Sequence, residues 1–192
     1  MPLPIIDCDS PPPVCCTGLY EHAQRILTTA FDAVQACVPD NSCLDREFHG
    51  YVSHGFVVQD PVPDYVTVSM VGLGPSVGSR SPQGLLSKVP VWHARFKVVL
   101  IEANWPTVED NGEEIWVPSP EQMSAAALHL YSHGESMFRA LADMVVRRKV
   151  AECGCEFHNI DSLSPIEAGG GAAGWETYIT VGVDMSGRRH GS

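Results

Sequence analysis

Seven cysteines and eight histidines are the residues of this chain best equipped for chemistry. Cys153, Cys155 and His158 lie close together, and Cys15–Cys16 could converge on them. Structural zinc sites present paired ligand knuckles, with two to four residues between the members of each. A Cys-Gly-Cys step and an adjacent cysteine pair do not match that spacing, and on a strand Cys153 and Cys155 would share one face as ordinary core residues do. A disulfide from Cys15 or Cys16 to a later cysteine stays compatible with the sequence. An odd cysteine number without an export signal, however, fits reduced thiols in a cytoplasm.

Nucleophilic catalysis finds little footing. Ser53–His54 places a hydroxyl beside an imidazole, but neighbours in sequence do not make a triad, and no orienting acid or oxyanion hole can be named. His129 and His133 stand four apart on an expected helix without the glutamate of a zincin motif, and read as surface or packing residues. Gly72 to Gly78 follows an expected strand, as a nucleotide loop would, yet lacks the Gly-Lys-Ser/Thr ending. Gly169 to Gly174 precedes a strand, so no helix dipole would face a phosphate. Neither an enzyme nor a bound cofactor is expected.

Composition narrows the partners. The 192 residues carry a net charge of −11, with 12 lysines and arginines against 23 aspartates and glutamates. Gripping DNA needs cations that displace condensed counterions. The one basic run, Arg147-Arg148-Lys149, sits at an expected helix C-terminus, where cations complement the dipole. Sequence-specific nucleic-acid binding is therefore not expected. Only 18% of residues are charged, which suits a subunit that hides surface against neighbours. No apolar stretch approaches the roughly twenty residues of a membrane span, and the proline-rich start lacks the features of a signal peptide.

These residues need a scaffold. Residues 1–14 read as an extended arm built around Pro11-Pro12-Pro13, residues 15–186 as one domain, and residues 187–192 as a flexible tail. A helix is expected from about Thr17 to Cys37, where apolar residues recur at three and four. Asp45 to Pro63 reads as turn-rich, with a short strand at Phe56 to Gln59. Alternation marks strands at Asp64–Leu73, Val91–Asn104 and Trp175–Met185, and another is expected within Cys153–Ile160. Residues 74–90 form a long Gly/Pro/Ser loop carrying Arg80 and Lys88. Residues 107–117 bring Glu109, Asp110, Glu113 and Glu114 around an Asn111–Gly112 turn, a solvated hairpin tip. Ser119-Pro120-Glu121-Gln122 has the form of a capping box for a second helix to about Val150, with Gly134 marking a bend or close packing. The order implies an α+β fold, with one antiparallel four- to five-stranded sheet packed against two helices.

Over nearly its whole length the chain resembles the tail terminator proteins of siphophages that infect actinobacteria. The residues that carry the resemblance are the cysteine-containing arm and first helix, and the Gly50-Tyr51-Val52-Ser53-His54-Gly55 turn before an Asp-Pro break and the strand Tyr65–Leu73. To these add a long strand ending at Trp105-Pro106-Thr107 with the Pro118–Val150 helix beyond it, and Gly169-Gly-Gly-Ala-Ala-Gly-Trp175 running into Ile179–Val183. It departs from the pattern at Pro61-Val62-Pro63-Asp64.

The resemblance implies a virion protein, made in the host cytoplasm, that assembles as a hexameric ring. Such a ring would cap the tail tube, stop its polymerisation and meet the head-to-tail connector or stopper. Negative charge suits a ring through which DNA passes without being gripped. The segments expected at interfaces are the arm with Pro11, Pro12 and Pro13, the loop with Arg80 and Lys88, and the acidic loop with Glu109, Asp110, Glu113 and Glu114. Another neck subunit, a stopper or head-completion protein, is the neighbouring reading. A small thiol or zinc protein using Cys153, Cys155 and a histidine is the reading from a different class.

Overall fold

The structure is a computed structural model that describes residues 18–37, 48–53, 64–75, 92–103, 105–106, 109–110, 115–146, 157–169 and 171–183. It contains α1 (Leu19–Ala36), β1 (His49–Ser53), β2 (Tyr65–Pro75), β3 (Trp92–Glu102), β4 (Glu109–Asp110), β5 (Ile115–Trp116), α2 (Pro120–Val146), β6 (Phe157–Ile160), β7 (Ser164–Gly169) and β8 (Ala172–Val183). Six strands form one sheet in the order β1-β2-β3-β8-β6, with β7 also pairing β8; β4 and β5 make a separate two-stranded ribbon. The α+β class is as the alternation of elements implies.

The sheet is wider than expected and not purely antiparallel. β1 runs parallel to β2, with His49 opposite Tyr65 and Ser53 opposite Ser69, so the segment expected as a Gly50–Gly55 turn is a strand through Ser53. Tyr51 and Val52 supply the β-prone residues there, and Gly50 has a packing role: a Cβ on it would fall 2.9 Å from Cδ2 of Phe31. Asp64 clamps this corner. Its carbonyl accepts from the His49 N–H at 2.9 Å, and its carboxylate accepts from the Ala103 N–H at 2.7 Å.

The sheet centre is built from β2, β3 and β8, whose long registers match the alternation in the sequence. β3 sets Ala94, Phe96, Val98 and Leu100 towards the helices, and β8 adds Ile179, Val181 and Val183. Ala23, Ile26, Leu27, Ala30 and Val34 of α1 and Met137, Leu141 and Met144 of α2 close over them. A smaller cluster of Tyr65, Val99 and Ile101 lies on the opposite face, which is why β3 is apolar on both sides in its later part.

The glycine-rich segment expected as a loop is the reversal between β7 and β8, which pair antiparallel with Gly169 opposite Ala172. Gly171 has φ 76°, a conformation that a Cβ disfavours. The expected capping box is present: the Ser119 N–H donates to Oε1 of Gln122 at 2.9 Å, and the Gln122 N–H to Oγ of Ser119 at 3.2 Å. The strand expected at Phe56–Gln59, the arm and the C-terminal tail lie outside the described residues.

Candidate functional site

Most of the residues with chemical potential lie outside the described residues. Cys8, Cys15, Cys16, Cys43, Cys153 and Cys155 lie outside the described residues, as do Pro11, Pro12, Pro13, Arg80, Lys88, Glu113 and Glu114. Glu109 and Asp110 are placed by their backbone only, in β4 opposite Trp116 and Ile115, which agrees with a hairpin around Asn111–Gly112. Among the described residues no cluster of three His, Cys, Asp or Glu side chains could hold a metal ion. Ser53 sits in β1 with its Oγ accepting from Oγ1 of Thr67 at 3.1 Å, as one member of a hydroxyl pair on the sheet.

One histidine expected as an ordinary packing residue is a buried, hydrogen-bonded joint. His133 on α2 faces Glu102 at the end of β3, with Nδ1 2.8 Å from Oε1, and the two residues are 3% and 2% exposed. Its Nε2 lies 3.1 Å from the carbonyl of Cys37, just past the end of α1. The edge of Phe48 closes the ring in, at 5.1 Å between centroids. Both ring nitrogens therefore face acceptors.

A histidine that acts as a general base must offer one nitrogen to substrate. His133 offers none, and the Cys37 thiol donates to the Ser132 carbonyl at 3.5 Å instead of pairing with the imidazole. The two side chains do not form a thiol–imidazole pair. The joint instead finishes α1. The last carbonyls of a helix lack intrahelical donors and carry partial negative charge, and the final turn of α1 contains no basic residue. α2 supplies the missing donors: Ser136 Oγ donates to the Ala33 carbonyl at 2.8 Å, and His133 reaches Cys37. The signal in the sequence is faint: three polar residues, Ser132, His133 and Ser136, close to the apolar side of a helix.

On the sheet face away from the helices the charges are neutralised locally. Lys97 pairs with Glu176 at 2.6 Å, and Arg95 pairs with Asp161 at 2.6 Å while its guanidinium lies 4.3 Å from the Tyr178 ring centroid. Those cations are already engaged by carboxylates and are poorly placed to receive an anion.

The feature that stands out is the first part of α2. Its mid-point is fixed by His133 on Glu102 and by Trp175, whose Nε1–H donates to the Leu130 carbonyl at 2.9 Å. Gly134 permits this approach, since a Cβ there would fall 2.5 Å from Cδ1 of the indole. From Met137 onward the helix runs back over the core. α1 ends beside Ser132 and His133, and in α2 ahead of the buried Leu130 residues 120–125 and Leu128 are exposed while Ala126, Ala127 and His129 are partly buried.

From Gln122 to Gly134 the sequence contains no Asp, Glu, Lys or Arg. Leu128 and Tyr131 are each 62% exposed, and Val117 and Met123 are exposed as well. A solvated helix ordinarily carries charge on its outer face, and α2 does so once it reaches Glu135 and Arg139, which form an ion pair across one turn. Exposed apolar side chains on an uncharged stretch are what protein–protein contact surfaces display. No helix among the described residues is long and apolar enough to cross a membrane. In comparisons with known proteins, no family model matches the chain, and no curated protein matches it.

Proposed function

We propose that this chain is a non-catalytic assembly subunit of a phage particle, the ring-forming tail terminator that caps the tail tube and joins it to the head connector. The observation that carries the assembly reading is the uncharged stretch of α2 from Gln122 to Gly134, with Leu128 and Tyr131 exposed on it. Leaving this much apolar helix in water is unfavourable at about 25 cal/mol per Å², and covering it by protein recovers that energy. The narrower assignment to a tail terminator rests on the sequence resemblance.

The mechanism is arrested polymerisation. A ring that matches the last ring of the tube on one face, and offers no tube-like surface on the other, halts growth. Neither catalysis nor a cofactor is required. A net charge of −11 lets DNA pass without holding its phosphates.

The test is the mass of the purified protein with and without tail tube protein, by light scattering, with electron microscopy of tube ends. Rings seated on tube ends that halt elongation are the expected result. Binding to portal or connector subunits, with tubes ignored, would move the assignment to a stopper. A protein that binds neither, and unfolds when zinc is chelated, would return attention to Cys153 and Cys155.

A further inference from the structure

We draw no further inference here: the strongest candidate, the Tyr51 hydroxyl buried without a hydrogen-bond partner among the described residues, beside Tyr65 on the sheet face away from the helices, carries nothing because nothing in the structure shows what would occupy or cover it.

Discussion

Replacing Gly134 by alanine tests whether the helix–indole contact that aims α2 is as tight as the geometry says. In an ordinary solvated helix this substitution stabilises by about 1 kcal/mol, because glycine gives up more backbone freedom. Here the new Cβ would lie 2.5 Å from Cδ1, 2.6 Å from Nε1 and 3.0 Å from Cγ of Trp175. The indole is a rigid plate, held by its hydrogen bond to the Leu130 carbonyl and flanked by Tyr131 at 5.3 Å between ring centroids. It must move by roughly an ångström to restore normal contact. Overpacking of this kind costs about 1–3 kcal/mol, and a weakened hydrogen bond adds about 1 kcal/mol. Set against the helical gain, the net is a destabilisation of about 1–3 kcal/mol. Urea unfolding followed by circular dichroism reads this as a lower midpoint with unchanged slope, by roughly 0.5–1.5 M for a slope near 2 kcal/mol/M. The decisive control is the same substitution beside Trp175→Leu, where the obstruction is gone and alanine should stabilise by up to about 1 kcal/mol. A Gly134→Ala protein as stable as the parent, with no change of sign between the two backgrounds, would refute the packing argument.

Three further outcomes follow from the same structure. His133→Ala strips the imidazole from Glu102 and from the Cys37 carbonyl, and should lower stability by about 1–3 kcal/mol, the usual cost of leaving a buried polar group unsatisfied; unchanged urea midpoints would mean the contact is not buried as described. Ser119→Ala removes a cap worth about 1 kcal/mol, but from a part of α2 that lies off the core. Amide exchange in the first turn should therefore quicken roughly fivefold while the global midpoint stays put, and a shift of the midpoint would place that turn in the cooperative core. His22 is buried in α1 with its pKa held below the ordinary 6.5, first by desolvation and then by the nearby Arg25 charge. The unfolded chain then binds the proton more readily, so the contribution of His22 is present above pH 6.5 and is lost as pH falls through the folded value. The slope is at most about 1.4 kcal/mol per pH unit. Urea midpoints of the parent and of His22→Leu, compared from pH 7.5 to 5, should show the parent falling relative to the variant as pH drops, and parallel curves would count against the assignment.

The elements legible in the sequence were those whose signal is local. The alternation in β3 and β8, the three-and-four spacing in α1 and the reciprocal Ser119–Gln122 cap each depend on residues near in the chain, and each is in place. What escaped notice depends on distant partners. His49–Ser53 reads as a turn because Gly50 lies in it, yet that glycine answers Phe31 of α1, and the strand exists because β2 offers it an edge. His133 resembles any helical histidine until Glu102 and Cys37, 31 and 96 residues away, are set on its two nitrogens. The exposed surface of α2 falls between these cases. Its lack of charge from Gln122 to Gly134 is readable in the sequence, but apolar residues in a helix ordinarily mean a core within the same chain. Only the positions of His133 and Trp175 show that the core ends halfway along α2. The length that remains beyond it has the composition of an interior and the exposure of a surface. Covering by a second protein would resolve that contradiction, which is the physical argument for the proposed assembly role that does not draw on the sequence resemblance.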